Sequence, residues 1–174
     1  MLSISKPFKG AGRADYYINL AQEDYYTEGL EPPGFWIGAA KEHFGLGDEV
    51  DPADFRKLLE GYHPRTGRPL VHNAGSVKRR SGWDLTWSPP KSVSVAWSQA
   101  TPEVRGQIER AMRESVRRAI AYLETVGVVS RRGADGVIQE KAKLVFAAYE
   151  HSTSRALDPQ LHIHTILINV GLRP

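Results

Sequence analysis

The amino-acid sequence predicts an α+β protein with a central antiparallel sheet and helices packed over one face of it. Several segments alternate between apolar and polar residues, which is typical of strands with one buried face. Residues 101–127 instead carry one apolar stripe at helical spacing, which predicts a long amphipathic helix. A chain of 174 residues with 41% hydrophobic and 25% charged residues is long enough to form one domain around a core.

The first half of the chain predicts short elements joined by loops. Residues 2–5 alternate as a strand, and residues 15–22 and 36–43 have helical periodicity. Residues 51–61 predict a helix, because an Asp-Pro pair is a typical helix start and a glycine a typical end. Residues 61–80 contain repeated glycine and proline, so we expect a long loop.

The second half predicts most of the sheet. Residues 83–87 alternate as a strand that two prolines end, while residues 91–97 are compatible with either a strand or a short helix. Residues 131–136 contain turn signals. Residues 143–151 and 161–170 then predict a final antiparallel hairpin.

Bulk composition excludes several classes of protein. Cysteine is absent, so disulfides and thiolate ligands are excluded, and the composition fits a cytosolic protein. No apolar run is long enough to span a membrane and no signal-peptide pattern opens the chain. The formal net charge of +3 and a pI near 9.2 are compatible with an anionic partner.

Three histidines near the end of the chain predict a metal site. Side chains alternate along a strand, so His162 and His164 project from one face of the last strand. The hairpin places His151 on the adjacent strand beside them. Three imidazoles on a rigid sheet leave positions open for water or substrate. Imidazole suits Zn, Mn, Ni or Co, whereas Mg prefers oxygen ligands.

Four of the seven tyrosines lie within eleven residues, as the pairs Tyr16-Tyr17 and Tyr25-Tyr26. Aromatic pairs often pack a helix against a sheet, and this is one interpretation. The other is a phenolic nucleophile for a phosphodiester, whose developing charge a nearby metal would neutralise. Asp84, in the predicted strand 83–87, could orient a ligand histidine or accept the tyrosine proton, and the sequence leaves both roles open.

Basic residues occur in two short runs with tryptophans nearby in sequence. Lysine and arginine follow a phosphate backbone and aromatic rings stack on unpaired bases, so the runs are compatible with single-stranded nucleic acid. A solvated charged loop is the alternative. The residues are Lys78, Arg79, Arg80, Arg131, Arg132, Trp83 and Trp87.

Segments that carry a family resemblance run through nearly the whole chain. They are the two tyrosine pairs, residues 58–61, residues 82–94 and residues 151–164. In this order they resemble the MobF-type conjugative relaxases, the TrwC/TraI group of the HUH single-strand DNA endonucleases. The resemblance implies that residues 1–174 form a single relaxase domain, shorter than the family at its C-terminal end, with a two-layer sandwich called the HUH palm.

The resemblance also implies roles for individual residues. His151, His162 and His164 would bind one divalent metal, whose identity among Mg, Mn, Zn, Ni and Co stays open. Tyr16 would be the principal nucleophile, Tyr25 would serve a second transfer, and Tyr17 and Tyr26 would be accessory. Asp84 would align a ligand histidine or take the phenol proton. The residues expected to contact DNA are Lys78, Arg79, Arg80, Lys91 and Arg155.

The activity implied is site- and strand-specific nicking and strand transfer at an origin of transfer, in plasmid conjugation. The attack would produce a 5′-phosphotyrosyl adduct and a free 3′-hydroxyl, so the strand can be rejoined without ATP. The partner would be hairpin-flanked single-stranded DNA, with accessory conjugation proteins, and the chain would act as a monomer in the bacterial cytoplasm and not at a membrane. Three alternatives stay open: a replication initiator or transposase with the same chemistry, a catalytically silent DNA-binding fragment, and a metal-dependent hydrolase of small phosphoesters.

Overall fold

The structure of the protein is a computed structural model. The residues that it describes are 1–10, 12, 15–17, 32–126, 129–132, 137–154, 156 and 158–172, with only the backbone described at 129, 131 and 132.

Eight strands and three helices are numbered here in chain order. The strands are β1 (Leu2–Ile4), β2 (Phe8–Lys9), β3 (Phe35–Ile37), β4 (Arg80–Trp87), β5 (Val129–Arg132), β6 (Ile138–Lys141), β7 (Phe146–Thr153) and β8 (Pro159–Ile168). The helices are α1 (Pro52–Glu60), α2 (Lys91–Gln99) and α3 (Pro102–Val126). Asp15, Tyr16 and Tyr17 also lie in helical backbone.

The central sheet is antiparallel throughout, as predicted. Its strand order is β1-β4-β8-β7-β3, with β2 also paired to β4. β8 therefore lies between β4 and β7, so residues far apart in sequence become neighbours. Thr86 pairs with His164 across one ladder, and His151 pairs with His162 across the other.

Two hydrophobic clusters cover the two faces of this sheet. One joins Ile166 and Ile168 of β8 to Phe55 and other residues of α1. The second joins Ile163, from the opposite face of β8, to α3. Helices thus pack on both faces, whereas the sequence predicted helices over one face. His162 and His164 share a face with the first cluster, because they have the same parity along β8 as its members.

The ends of α1 follow the predicted chemistry. Asp51 Oδ1 accepts hydrogen bonds from the backbone N–H groups of Ala53 and Asp54, each at 2.9 Å. These bonds satisfy donors that have no partner within the helix. Gly61 ends the helix with φ of 90°, a left-handed conformation that favours glycine. The helix α3 also confirms its prediction, with Val116 and Ile120 buried on its apolar side.

Three local predictions were wrong or undecided. Residues 36–43 are not helical, because β3 pairs with β7 and Gly38 follows at a φ of 109°. There a Cβ atom would lie 2.4 Å from the carbonyl oxygen of Leu144. Residues 91–97 belong to helix α2, whose Ser94 hydroxyl accepts the backbone N–H of Leu161. Arg131 and Arg132 lie in β5, which pairs with β6, rather than in a turn.

No helix in the described part of the chain is both long enough and apolar enough to cross a bilayer.

Candidate active site

The three predicted ligand histidines come together on one face of the sheet. Their ring centroids are 5.2 Å apart for His151–His162, 5.4 Å for His151–His164 and 5.0 Å for His162–His164. Imidazoles that bind one ion through nitrogen at about 2.1 Å have centroids roughly 5 Å apart. His151 is 4% exposed, and the other two are partly exposed. The ring spacing therefore fits three histidines that bind one shared ion.

Hydrogen bonds at Nδ1 define the tautomers of two of these rings. His162 Nδ1 lies 2.9 Å from the carbonyl oxygen of Gln160, and a carbonyl can only accept. His164 Nδ1 lies 2.8 and 3.0 Å from the two carboxylate oxygens of Asp84. Both contacts require a proton on Nδ1, so in the neutral form of each ring the lone pair is on Nε2, the form in which imidazole binds a metal.

As the side chains stand, no three His, Cys, Asp or Glu donors among the described residues form the arrangement of a bound ion. The donor set of three imidazoles, two in the ligand tautomer, fits a divalent transition metal in its chemistry.

Asp84 links the histidines to the first tyrosine pair. Its carboxylate accepts from His164, as above, and from the hydroxyl of Tyr17, which lies 2.9 Å from Oδ2. Asp84 is on β4 and His164 is on β8, so the sheet itself aligns the two side chains. Each of the two roles that the sequence left open has a matching contact: the hydrogen bond from His164 and the hydrogen bond from the Tyr17 phenol.

The structure separates the two tyrosines of this pair. Tyr17 is 1% exposed and stacks on Tyr149, with ring centroids 6.3 Å apart and an interplanar angle of 17°. Tyr16 is 45% exposed and meets the edge of Tyr17, with centroids 5.1 Å apart. Tyr16 therefore offers the accessible phenol, while Tyr17 occupies the buried side of the site. Tyr25 and Tyr26 lie outside the described residues.

Sequence reasoning missed Tyr149. It lies directly opposite His164 in the ladder between β7 and β8, and burial raises the pKa of its phenol. Alternation was the available signal, because Tyr149 and His151 are two residues apart on one strand and so share a face. Its ring also contacts Phe55 of α1, with centroids 6.0 Å apart.

The residues predicted to contact DNA fall into three groups. Lys78 and Arg80 are exposed. Lys91 is exposed too, and its ammonium donates to the carbonyl oxygen of Pro159 at 2.8 Å. Arg155 lies outside the described residues.

The third group is Arg79 alone, for which the prediction was wrong. Its side chain is 3% exposed, and the guanidinium donates to the carbonyl oxygens of Leu59 and Asn169 and to Asn73 Oδ1. Burial lowers the pKa of this guanidinium. The Arg79 side chain links α1, the loop before β4 and the end of β8 in the interior. It is therefore not accessible to a nucleic acid.

Trp83 and Trp87 also differ from the expected base-stacking role. Both pack against the second hydrophobic cluster, on the α3 side of the sheet. The Trp87 indole donates to Thr165 Oγ1 at 2.9 Å. They lie on the opposite face from the histidines, because odd and even positions of β4 point to opposite faces.

Comparison with known proteins agrees with this geometry. The model of the TrwC relaxase family matches residues 10–173. Among curated proteins, the multifunctional conjugation protein TraI of Escherichia coli is 34% identical over 171 residues, which cover 98% of this chain and 9% of TraI. TraI of strain K12 is 33% identical over the same length.

Solved structures show the same similarity. A metal-bound conjugative relaxase TrwC in complex with oriT DNA superposes with a TM-score of 0.78 at 32% identity, over 99% of this chain and 58% of that one. TrwC complexed with a 27-mer DNA comprising the recognition hairpin and the cleavage site gives 0.75 at 30% identity, over 99% and 57%. The chain thus spans under three fifths of these solved relatives and about a tenth of TraI. A match over nearly all of its length shows that the chain belongs to the TrwC relaxase family.

Proposed function

We propose that this chain nicks one strand of DNA at an origin of transfer and carries that strand on a tyrosine, in a metal-dependent transesterification. The observation that carries the proposal is the junction of two remote segments: Tyr17, next to Tyr16, contacts the Asp84–His164 pair of the histidine cluster. Family membership supports it, since the similar TrwC structures hold oriT DNA and TraI is a conjugation protein.

Tyr16 is the proposed nucleophile because, of the Tyr16-Tyr17 pair, it has the accessible phenol. The phenolic oxygen forms a bond to the scissile phosphorus, and the bond from phosphorus to the 3′ oxygen breaks. The phenol gives up its proton, and the departing 3′ oxygen takes one up to become a hydroxyl. One phosphodiester replaces another, so no water is consumed and the strand can be rejoined.

The histidines are the proposed metal ligands, with His151, His162 and His164 presenting nitrogen to one divalent ion. A bound ion would neutralise charge on the phosphoryl oxygens as a Lewis acid. Three imidazoles favour Mn, Zn, Ni or Co over Mg, which prefers oxygen ligands. Asp84 keeps the His164 ring in the ligand tautomer and orientation.

The proposed substrate is single-stranded DNA with an adjacent hairpin, since the DNA in one similar TrwC complex comprises a recognition hairpin and the cleavage site. Exposed Lys78, Arg80 and Lys91, together with Arg155, are proposed to contact its backbone. Tyr25 is proposed for a second transfer, with Tyr26 accessory. We also propose that the chain acts as a monomer in the bacterial cytoplasm, together with accessory conjugation proteins.

The test is capture of a covalent adduct. A pool of single strands with a randomised core and a fluorophore at the 3′ end is incubated with the protein and Mn²⁺, then run on a denaturing gel. The label stays with the protein because the 5′-phosphate of the downstream piece is the end that Tyr16 binds. We expect a labelled protein band that disappears with chelator and in Tyr16→Phe.

Tyr122→Phe is the matched control, because Tyr122 is 66% exposed on α3, on the other face of the sheet. It should form adduct like the unmodified chain. Cleavage without an adduct would contradict the proposal in favour of a hydrolase, and binding with neither would contradict it in favour of a silent DNA-binding module.

A further inference from the structure

The hydroxyl of Tyr17 belongs to a hydrogen-bonded series that runs through Asp84 to His164. Tyr17 donates to Asp84 Oδ2 at 2.9 Å, and His164 Nδ1 donates to the same oxygen at 2.8 Å. We propose that Tyr17 is a positioning residue that fixes the Asp84 carboxylate, and through it the metal-facing nitrogen of His164, and that it is not a nucleophile. This inference rests on the proposed function and assigns the second tyrosine of the pair a separate role.

Packing holds Tyr17 in that role. Its ring is 1% exposed and lies near Phe8, with centroids 6.3 Å apart, as well as stacking on Tyr149. A phosphodiester strand cannot approach a phenol that is enclosed in this way without displacing the core. The hydroxyl instead makes a hydrogen bond to a carboxylate, which is stronger than one between neutral groups.

A second donor matters because of the geometry of a carboxylate. His164 Nδ1 is within 3.0 Å of both Asp84 oxygens, so this contact alone leaves the plane of the carboxylate weakly defined. Two further donors define that plane: the Tyr17 hydroxyl on Oδ2 at 2.9 Å and, more weakly, the Thr86 hydroxyl on Oδ1 at 3.5 Å. Because the His164 ring follows the carboxylate, its Nε2 is oriented as well.

The same contact places Tyr16. Successive residues of a helix point about 100° apart, so Tyr16 and Tyr17 cannot both face Asp84. Anchoring Tyr17 inward therefore sets the direction of Tyr16. On the outside, the carboxylate of Asp15 pairs with the guanidinium of Arg56 on α1. The tyrosine segment is thus held at an inner and an outer point, on either side of the accessible phenol.

Metal affinity tests this role independently of cleavage. Isothermal titration with Mn²⁺ is run on the unmodified chain, Tyr17→Phe, Tyr16→Phe, Asp84→Asn and the Tyr17→Phe/Asp84→Asn double variant, with His162→Ala as the background for binding elsewhere. We expect Asp84→Asn to weaken binding about 10- to 100-fold, as loss of a partner to a ligand histidine typically does. Tyr17→Phe should weaken it by about 3- to 10-fold, and Tyr16→Phe should leave it unchanged.

The double variant separates positioning from packing. If Tyr17 acts through Asp84, its substitution adds little once Asp84 is gone, so the two effects are not additive. In the gel assay, Tyr17→Phe should still form adduct, at a reduced rate, whereas Tyr16→Phe forms none.

Two results would overturn the inference. One is a Tyr17→Phe variant that binds Mn²⁺ like the unmodified chain. The other is complete loss of adduct in Tyr17→Phe, which would make Tyr17 the nucleophile. Failure of the proposed function looks different, because the unmodified chain would then neither bind Mn²⁺ through His162 nor form an adduct.

Discussion

At the scale of single residues, burial separates side chains that the sequence makes look alike. Lys78, Arg79 and Arg80 are consecutive and all basic, yet only Arg79 points inward, where it is 3% exposed. Its three acceptors come from the end of α1, from the loop before β4 and from the residue after β8. None of these positions is near Arg79 in sequence except Asn73, so no local pattern marks it as structural.

Replacing Arg79 should therefore cost stability rather than DNA affinity. Arg79→Met removes the guanidinium and leaves buried acceptors unpaired, which we expect to lower the free energy of unfolding by about 3 kcal/mol. Urea denaturation of the metal-free chain measures this loss. The adjacent Arg80→Met is the control, and a surface substitution of this kind changes stability by about 0.5 kcal/mol or less. Equal losses in the two variants would contradict the structural role of Arg79.

At the scale of elements, helix α1 closes the histidine side of the sheet. Phe55 packs edge-on to Trp36 of β3 and against Tyr149 of β7, and Arg56 pairs with Asp15 next to the tyrosine pair. The site is therefore built from strands that carry the histidines and a helix that packs the aromatic residues beside them. A substitution that destabilises α1 should therefore also weaken the packing around Tyr17.

The stability of α1 depends on its N-cap residue, Asp51. Asp51→Ala removes the acceptor of two backbone N–H groups, and we expect the free energy of unfolding to fall by about 1 kcal/mol. Thermal or urea unfolding, followed by circular dichroism, measures the change. Asp48→Ala serves as the control, because the Asp48 carboxylate is exposed and pairs with Lys41 at the surface. A loss in Asp48→Ala as large as that in Asp51→Ala would argue against the cap.

At the scale of the whole molecule, one face of the sheet carries the candidate active site and the other face packs against α3. The histidines, Asp84 and the tyrosine pair lie on one face, and α3 covers the other with Val116 and Ile120. Several cations of α3 are already engaged there: Arg113 bonds Glu150, Arg118 bonds Glu114, and Arg105 donates to carbonyls at the end of α2. The exposed Lys78 and Arg80 precede and begin β4, the strand that carries Asp84.

This division predicts which cations contribute to the salt dependence of DNA binding. Each phosphate contact on a single strand adds roughly 0.7 to the slope of log affinity against log salt concentration. The double variant Lys78→Ala/Arg80→Ala should therefore reduce the slope by about 1.4. Fluorescence anisotropy with single-stranded DNA over a series of salt concentrations measures it. Arg118→Ala, on the far face, should leave the slope unchanged, and a similar reduction in that variant would refute this placement of the strand.

The sequence by itself determined those features that depend on near neighbours along the chain. The capping pair and glycine bounded α1, the apolar stripe defined α3, and strict alternation placed His162 and His164 on one face of β8. These predictions were confirmed because helix periodicity, capping and the strand pleat are local properties. The motif resemblance added the family, which the comparisons confirmed.

Only the tertiary structure decided what depends on partners far away in the chain. Pairing with β7 made residues 35–37 a strand, although residues 36–43 have helical periodicity, and the contact of Ser94 with β8 accompanies the helix at 91–99. Tyr16 and Tyr17 are adjacent residues of the same type. Tyr17 differs because its hydroxyl donates a hydrogen bond to Asp84, which lies 67 residues away in the chain. Such choices follow from burial and from hydrogen bonds across the sheet, whose strength is set by the surrounding core and not by adjacent residues.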